Sequence, residues 1–394
     1  MRRHTVAVAF ALVCASASGA VAISASPAVA GRPLGAGTST NSSLTSVSCA
    51  SAAACAAVGF DTIAGVSEPF AASWNGKTWT AQATPVPKGF KHGVLSAVSC
   101  RSATNCTAVG AFDNAAGAEM LLAEHWNGKV WAVEVTPAPA NYYGQSLVGV
   151  SCPSTSACIA VGSYFQLSGI QLTLADYWNG RTWTIQATPA GGPKYLVSVS
   201  CTSTSACTAV GSYAKNGGAE LTLVEHWNGK AWAVVSAPHP TGSQGTYPAM
   251  VACATATSCM DVGYYQNSTS SFALAESWNG TAWRVLATPR PASGTNEFLA
   301  GTACPAATTC FGVGYAQNGG SSSSPLAERW SGKVWTVQPM PWPKGGSALS
   351  LFGVGCSTTT ACTAVGSYQK GSDTLTLAER WNGKAWAVEA TPNS

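Results

Sequence analysis

The chain has 394 residues, of which 46% are hydrophobic and only 9% are charged, and its formal net charge is +4. So large an apolar fraction with so few charges excludes a disordered chain. So small a net charge also leaves no basic surface for nucleic acid or for an anionic membrane. We therefore expect a folded protein that has neither as a partner.

Residues 1–30 have the features of a secretory signal peptide. Two arginines follow the first Met, an apolar core runs from Val6 to Val13, and Ala28-Val29-Ala30 provides a small-residue cleavage site. Serine and glycine interrupt the apolar run, which stays short of the ~20 residues that a membrane span needs. We therefore predict an exported chain with no membrane span, in which residues 31–43 form a short N-terminal linker.

From residue 44 the sequence repeats one unit seven times. In most copies an acidic residue is followed two positions later by Trp-Asn-Gly, then by a second Trp and by a proline. The first Trp recurs every 49 to 52 residues, at Trp74, Trp126, Trp178, Trp227, Trp278, Trp330 and Trp381. Such a fixed period indicates repeat units of about 44–92, 93–145, 146–194, 195–247, 248–297, 298–348 and 349–394.

Each unit contains four strand-like runs, which in the last copy cover residues 351–356, 362–368, 374–381 and 384–391. The Asn-Gly dipeptide between the third and fourth runs predicts a two-residue type I′ turn. In that register Trp126 pairs with Lys129, and Glu124 pairs with Trp131. One face of the sheet then carries bulky side chains and the other carries alanines. We therefore expect the Trp pair of each unit to be buried on the alanines of its neighbour, and Trp342, in a link between units, to be exposed.

The second run of every unit contains a glycine. A glycine inside a strand indicates a bulge or a close approach of another backbone segment. These glycines are Gly59, Gly110, Gly162, Gly211, Gly263, Gly314 and Gly366.

Four antiparallel strands per unit, repeated seven times, predict an all-β fold, a seven-bladed β-propeller. A linear β-solenoid is the alternative, but its shorter and parallel rungs do not fit antiparallel hairpins. The repeats contain no spare strand that could complete the first or the last blade. Either packing between the last and the first unit closes the ring, or the boundaries between the blades differ from those given above.

Fourteen of the 15 cysteines form seven pairs, and the two members of each pair are six positions apart. In an exported chain such regular pairs predict a disulfide framework, in which each bridge closes the loop between the first two strands of its unit. Metal binding is the alternative, but no His recurs beside the pairs, so we predict neither a metal site nor another cofactor. The predicted bridges are Cys49/Cys55, Cys100/Cys106, Cys152/Cys158, Cys201/Cys207, Cys253/Cys259, Cys304/Cys310 and Cys356/Cys362.

From Leu44 to Pro392 the repeats resemble those of known propeller families. Their period is similar to that of kelch repeats, although the paired glycines of kelch are missing. The segment Ser73-Trp74-Asn75-Gly76-Lys77-Thr78-Trp79 resembles an Asp-box that is shortened by one residue and has Asn in place of Asp. The chain is also similar to exported repeat proteins of actinobacteria. The resemblance implies the fold and brings no catalytic residue with it.

In a four-stranded meander the first and third loops lie at one end of the blade, and the second loop and the links between units lie at the other. Loops at this second end vary among the units, and variable loops on a repeat scaffold commonly carry binding sites. Their aromatic and amide side chains suit a glycan or an extended peptide. Alternatively, the rings only cap the strand ends and pack between blades. The predicted ligand-binding residues, at the mouth of the axial channel, are Tyr164, Tyr213, Tyr265, Tyr315, Tyr368, Gln266, Gln317 and Gln369.

No spacing of acids, histidines or nucleophiles selects a catalytic site. We interpret the acid before the first Trp as structural, paired with the turn Lys or capping the Trp side chains. It is present as Glu124, Asp176, Glu225, Glu276, Glu328 and Glu379.

We therefore predict an extracellular binding or scaffold propeller, a monomer, whose partner is a glycan or an extracellular protein or peptide. A glycan-active enzyme, either a glycosidase or a lyase, is the alternative. A purely structural surface protein is the third hypothesis.

Overall fold

The computed structural model describes residues 41–87, 89–192, 194–214, 218–290, 295–318 and 322–393. Within these ranges the regular elements are 28 β-strands, and there is no helix. The predicted signal peptide and all but the last residues of the predicted linker lie outside the described residues.

Every four consecutive strands form an antiparallel sheet, which we call a blade and number 1 to 7 in chain order. The first strands are β1 (Asn41–Ser51), β5 (His92–Ser102), β9 (Tyr142–Ser154), β13 (Lys194–Ser203), β17 (Gly245–Thr255), β21 (Thr295–Ala306) and β25 (Ser347–Thr358). The second strands are β2 (Ala54–Ile63), β6 (Asn105–Asp113), β10 (Ala157–Gln166), β14 (Ala206–Ala214), β18 (Ser258–Gln266), β22 (Thr309–Asn318) and β26 (Ala361–Lys370).

The third strands are β3 (Val66–Trp74), β7 (Glu119–Trp126), β11 (Gln171–Trp178), β15 (Glu220–Trp227), β19 (Ser271–Trp278), β23 (Ser323–Trp330) and β27 (Asp373–Trp381). The fourth strands are β4 (Trp79–Gln82), β8 (Trp131–Glu134), β12 (Trp183–Ile185), β16 (Trp232–Val235), β20 (Trp283–Val285), β24 (Trp335–Val337) and β28 (Trp386–Glu389). The fourth strands are thus only three or four residues long, shorter than the run that the sequence predicts.

The first strands form the inner ring of the propeller, because each of them contacts the first strands of both neighbouring blades. The ring closes where β25 lies against β1. One parallel bridge, between Asn41 and Thr374, also joins blades 1 and 7. The Arg380 guanidinium of blade 7 lies 4.4 Å from the centre of the Trp74 ring of blade 1. Packing between complete blades therefore closes the ring, which is the first of the two alternatives.

The bulky face of each blade packs on the small face of the preceding one. Trp131 of blade 2, for example, shares a buried cluster with Ala56 and Ala71 of blade 1. The second Trp is buried in all seven blades, but the first Trp is buried only as Trp74, Trp227 and Trp381 and is half-buried in the other four. The predicted burial of both members is therefore wrong for those four blades. Trp342 has 46% of its surface exposed, as expected.

The Asn-Gly turn is longer than the sequence predicts. Trp126 pairs with Trp131, so the loop holds four residues and not two. Oδ1 of Asn127 accepts hydrogen bonds from the backbone N–H groups of Lys129 and Val130, at 2.9 and 3.0 Å. The predicted type I′ register is wrong because this side chain satisfies the loop backbone. A shift of two residues keeps every side chain on its predicted face, so the packing of the blades is unaffected.

The glycine of each second strand lies opposite a bulge in the first strand. In blade 2 the bulge falls between Leu95 and Ala97, and Leu95 pairs with Gly110. A Cβ atom on Gly110 would lie only 1.9 Å from the carbonyl oxygen of Val94. The close backbone approach that the sequence predicts is thus confirmed, and its cause is the bulged neighbouring strand.

Serine side chains link the inner strands of adjacent blades. Oγ of Ser48 in blade 1 accepts a hydrogen bond of 2.9 Å from the backbone N–H of Cys100 in blade 2. The same bond recurs at the next three interfaces, from Cys152 to Ser99, from Cys201 to Ser151 and from Cys253 to Ser200. The equivalent positions of blades 5 to 7 are Ala252, Ala303 and Gly355, which have no hydroxyl. Blades 1 to 5 are therefore joined by an interaction that the remaining interfaces lack.

Candidate functional site

The disulfides and the Asn-Gly loops lie on one face of the propeller, which we call the disulfide face. All seven predicted cysteine pairs are bonded. Nε1 of Trp126, beside the Asn-Gly loop, donates a hydrogen bond of 3.1 Å to the carbonyl oxygen of Ala103 in the disulfide loop. The loops between second and third strands and the links between blades therefore lie on the opposite face, which we call the variable face. Seven disulfides indicate an oxidising environment.

The second cysteine of every bridge is buried inside the propeller, although the loop that the bridge closes is at the surface. It is the second residue of the second strand of its blade. In blades 1, 3 and 5 its sulfur lies within 3.8 Å of a threonine hydroxyl of the preceding blade. Sγ of Cys158 in blade 3, for example, lies 3.6 Å from the Thr107 hydroxyl of blade 2. The predicted bonds are confirmed. Burial keeps the second cysteines from any ligand, so they are structural and not part of a functional site. These cysteines, with 2% to 6% of their surface exposed, are Cys55, Cys106, Cys158, Cys207, Cys259, Cys310 and Cys362.

The five tyrosines predicted to bind ligand do not occupy equivalent positions. Tyr164, Tyr213, Tyr265 and Tyr368 follow the glycine of the second strand by two residues, whereas Tyr315 follows it by one. Side chains alternate between the faces of a sheet. The Tyr315 ring is therefore on the opposite face of its blade from the other four.

The structure places the predicted rings at different blade interfaces. Tyr164, Tyr213 and Tyr368 are half-buried and pack against the hydrophobic clusters between blades 2 and 3, 3 and 4, and 6 and 7. The Tyr265 hydroxyl is hydrogen-bonded to the Arg290 guanidinium at 2.9 Å. Tyr265 also borders a cavity of about 300 Å³.

Two of the three predicted amides bond within their own hairpins. Gln266 donates to Ser271 at 3.4 Å, and Gln369 donates to Thr374 at 2.7 Å. Gln317 lies on β22, opposite Ser323. Among the described residues no ring contact and no side-chain hydrogen bond joins one of the eight predicted residues to another. Their role in binding stays a prediction.

A second group of rings lies together on blades 4 to 6, and of its members only Tyr315 is among the predicted binding residues. Tyr264 is at its centre and stacks on Tyr247, with 4.7 Å between the ring centres. The Tyr264 ring also meets the edge of Phe298 at 4.9 Å, and Phe298 stacks on Tyr315 at 5.0 Å. Tyr195 belongs to the same neighbourhood. Its hydroxyl donates a hydrogen bond to Glu220 on β15, and Thr222 of the same strand is hydrogen-bonded to Thr246, the residue before Tyr247. We call these six residues the Tyr264 patch; they are Tyr195, Glu220, Tyr247, Tyr264, Phe298 and Tyr315.

The backbone explains how the rings of the Tyr264 patch come together. Tyr195, Tyr247 and Phe298 lie near the beginnings of β13, β17 and β21. These strands belong to the inner ring, and their beginnings follow the links between blades, so the patch lies near the axis on the variable face. Tyr247 is directly opposite Tyr264, and Phe298 is directly opposite Tyr315, which makes each pair stack across two strands.

Glu220 provides the carboxylate of the patch. The Tyr195 hydroxyl donates a hydrogen bond of 2.9 Å to Oε2 of Glu220. Burial, followed by the charges of Tyr247, Tyr315 and Glu220, raises the pKa of Tyr264 to about 12. Burial and the Glu220 charge also raise the pKa values of Tyr195 and Tyr247. The phenols are thus neutral at ordinary pH.

The patch breaks the sevenfold repetition of the chain. At the first-strand position of Tyr195, Tyr247 and Phe298 the other blades carry Ser43, Val94, Ser146 and Ser350. At the second-strand position of Tyr264 and Tyr315 the remaining blades carry Phe60, Ala111, Ser163, Ser212 and Ser367. Four blades therefore form the same sheet without this row of rings, so the fold itself does not require it.

The recurring acid before the first Trp lies inside the propeller. All six carboxylates are fully buried, with 0% of their surface exposed. They share a sheet face with the Trp pair and so lie between their own blade and the preceding one. Glu225 is 3.3 Å from Nζ of Lys194. The interpretation that these acids pair with the turn Lys or cap the Trp side chains is wrong, because the alternation of the strand points them into the blade interface.

Burial raises the pKa values of these interior acids. The pKa rises to about 7 for Asp176 and to about 8 for Glu276 and Glu379. For Glu328 burial and the nearby Glu297 charge raise it to about 8. Asp261 lies directly across from Glu276, and burial raises its pKa well above its ordinary value. Enclosure keeps these groups from any substrate and indicates a structural role.

Neither a membrane helix nor a metal cluster is present in the described parts of the chain. No helix there is long and apolar enough to cross a membrane. Within the same ranges no three His, Cys, Asp or Glu side chains are grouped so as to hold a metal ion.

No known protein family and no curated protein matches the sequence. Among solved structures, the chain is similar to YCF48 bound to D1 peptide, with 12% identity, a TM-score of 0.50 and coverage of 91% of this chain and 98% of that chain. A fucose-specific lectin from Aleuria aurantia has 13% identity and a TM-score of 0.44 over 74% of this chain and 93% of its own. The Trypanosoma rangeli sialidase in complex with the inhibitor DANA has 10% identity and a TM-score of 0.48 over 76% of this chain and 54% of its own. At such identities the likeness to YCF48 supports the fold alone.

Proposed function

We propose that the protein is an exported, monomeric binding propeller whose variable face holds a glycan or an extended peptide on the Tyr264 patch. The observation that carries this proposal is the confinement of the aromatic row to three adjacent blades of a sevenfold repeat. Half-buried rings with polar hydroxyls are typical of surfaces that bind both glycans and peptides. Export, and the resemblance to kelch and Asp-box propellers and to actinobacterial repeat proteins, belong to the same proposal.

The disulfides and the shape of the fold support a rigid scaffold for this site. Each disulfide holds the first two strands of its blade together on the disulfide face. The rings therefore lie on a framework that needs little reordering when a ligand binds, and less ordering leaves more of the interaction free energy for affinity.

The experiment compares two ring variants at equivalent positions on an array of extracellular glycans and peptides. Tyr264→Ala removes the centre of the patch, and Phe60→Ala removes a single ring from blade 1, where the opposite residue is Ser43. We expect Tyr264→Ala to weaken retention at least about tenfold, since a central aromatic anchor carries a large share of binding energy. Phe60→Ala should leave retention unchanged. Equal loss in both variants would contradict the proposal. Tyr265→Ala and Tyr368→Ala in the same assay test the residues predicted from sequence.

A second candidate function is glycan hydrolysis at blade 2. Glu119 and Asp113 are directly opposite each other at the variable end of β6 and β7. Glu119 is exposed at the first position of β7, and partial burial of its carboxyl group together with the Asp113 charge raises its pKa to about 7. A carboxyl group with a raised pKa next to a second carboxyl group is an arrangement that glycosidases use. The exposed Tyr143 stacks on Phe165 at 5.7 Å on the adjacent blade, which offers a ring for a sugar.

Turnover separates the two functions. If the array ligand is hydrolysed, and Glu119→Gln abolishes hydrolysis while Glu220→Gln does not, the enzyme hypothesis is supported. Retention without any product, unchanged in Glu119→Gln, supports the binding propeller.

A further inference from the structure

The Tyr264 patch carries a negative charge that no described basic residue neutralises. The ion pair of the described residues joins Lys194 to Glu225. Lys194 directly precedes Tyr195 on β13, so its side chain points to the other face of blade 4, between blades 3 and 4. Among the described residues, the Tyr195 hydroxyl donates a hydrogen bond to Glu220. A carboxylate has about four acceptor sites, so one hydroxyl leaves most of its hydrogen-bonding capacity for a ligand.

The rings add to this negative potential. The face of an aromatic ring is negative and attracts a cation that lies over it. Four half-buried rings, those of Tyr195, Tyr247, Tyr264 and Phe298, lie beside this one carboxylate and therefore favour an organic cation over a neutral ligand. A neutral sugar that covered the patch would remove Glu220 from water without supplying an opposite charge, and this loss of hydration opposes binding.

The order of the contacts favours a lysine side chain as that cation. Phe298, Tyr264 and Tyr247 touch in sequence. Glu220 is near the Tyr247 end of this row, because the backbone N–H of Thr222, two residues after Glu220, donates a hydrogen bond of 2.8 Å to Thr246, the residue before Tyr247. This is an apolar row that ends at a carboxylate. Lysine has a stem of four methylenes that packs along apolar surface and a compact ammonium at its end.

We infer that the Tyr264 patch binds a lysine side chain of an extended peptide, with the stem along the rings and the ammonium at Glu220. This inference rests on the binding role proposed above and names the ligand group that the site recognises.

The test measures the affinity of the full-length protein for small probes by isothermal titration. Nα-acetyl-lysine N-methylamide carries the cation, and Nα-acetyl-norleucine N-methylamide has a similar stem without it. We expect the lysine probe to bind at least about tenfold more tightly than the norleucine probe, since the patch supplies both cation–π attraction and a charged hydrogen bond. Raising the salt concentration should narrow this difference. Equal affinities would overturn the inference, as would glucosamine binding more tightly than the lysine probe.

A matched pair of variants tests whether Glu220 causes the preference for the lysine probe. Glu220→Gln should bring the lysine probe to within about threefold of the norleucine probe, because it removes the charge and keeps the shape. Asp373 is the first residue of the third strand in blade 7, as Glu220 is in blade 4, so Asp373→Asn should leave the ratio of affinities unchanged. An unchanged ratio in Glu220→Gln would overturn the inference.

The proposed function and this inference fail in different ways. Suppose that Tyr264→Ala abolishes array retention while the lysine probe neither binds nor competes with the retained ligand. The proposed binding surface is then supported, and lysine as its ligand group is wrong. If Tyr264→Ala retains the array ligand, the binding surface itself is wrong.

Discussion

The Tyr195 hydroxyl donates a hydrogen bond of 2.9 Å to Oε2 of Glu220, across blade 4 from the inner strand to the third strand. This bond holds one oxygen of the carboxylate near the beginning of β15, on the side of the blade that faces the stacked rings of blade 5. The inner strand thus orients the acid that we assign to ligand recognition.

Removing the Glu220 charge should make the phenols of the patch easier to ionise. The negative charge of Glu220 opposes the formation of phenolate and is one cause of the raised pKa values of Tyr195, Tyr247 and Tyr264. In Glu220→Gln we therefore expect these phenols to titrate at lower pH, and Tyr264 to titrate below about 12. Ultraviolet absorbance of the phenolate against pH measures the shift. An unchanged titration curve would show that Glu220 is not near these rings.

The interior acids should make the protein more stable in mild acid than in mild base. Their pKa values are higher in the folded state than in the unfolded state, where Glu titrates at about 4.3. Each buried carboxyl therefore stabilises the folded state fully below about pH 4.3. This contribution to the free energy of unfolding is lost as the pH rises through the pKa of the group in the folded state, which is about 8 for Glu328 and Glu379. In that interval each group lowers the free energy of unfolding by roughly 1.4 kcal/mol per pH unit.

Guanidinium unfolding between pH 4.5 and 8.5 measures this dependence. Glu379→Gln should flatten the curve, because the amide cannot ionise, and should raise stability relative to the parent protein at pH 8.5. A stability that stays constant over this range would contradict the enclosure of the acids. Glu124→Gln is a second variant at the same position of another blade.

Adding a methyl group at Gly110 should strongly destabilise the protein. A Cβ there would lie 1.9 Å from the Val94 carbonyl oxygen, so the bulge of the inner strand would have to move. We expect Gly110→Ala to cost on the order of 3 kcal/mol or more, because backbone and not a flexible side chain is in the way. Gly192→Ala is the control, since no atom lies within 4 Å of its added Cβ. Similar unfolding midpoints for the two variants would contradict the close approach of the bulged inner strand to Gly110.

The two tryptophans of one hairpin should contribute unequally. Trp183 is buried in blade 3, whereas its partner Trp178 is half-buried. Truncation of a buried aromatic side chain leaves a cavity, so Trp183→Ala should lower the free energy of unfolding by about 3–5 kcal/mol. We expect a smaller loss in Trp178→Ala. Chemical unfolding of both variants measures the difference. An equal or larger loss of stability in Trp178→Ala would contradict the greater burial of Trp183.

The repetition of the chain made most of the fold predictable. The cysteine spacing, the glycine of the second strand and the Trp of the fourth strand each occur seven times, so one interpretation is tested by seven copies. The turn register could not be predicted in this way. Pairing Trp126 with Lys129 or with Trp131 places every side chain on the same face, so hydrophobic periodicity does not distinguish the two. The hydrogen bonds of the Asn127 side chain decide between them.

The candidate site was less predictable because it departs from the repeat. Tyr195, Tyr247 and Phe298 each precede the first cysteine of their unit by six residues, and this common spacing was the available signal. Their meeting with Tyr264 and Tyr315 depends on which first-strand residue lies opposite which second-strand residue. The bulge of the inner strand changes that register, and no pattern of residue types reports it.

The most direct test of the proposed site is nuclear magnetic resonance of the lysine probe in contact with the rings. Methylene protons that lie over aromatic rings shift upfield, so the stem resonances of Nα-acetyl-lysine N-methylamide should move when the protein is added. The account predicts that this shift is lost in Tyr264→Ala and kept in Phe60→Ala. A shift of the same size in Tyr264→Ala would contradict binding at the Tyr264 patch.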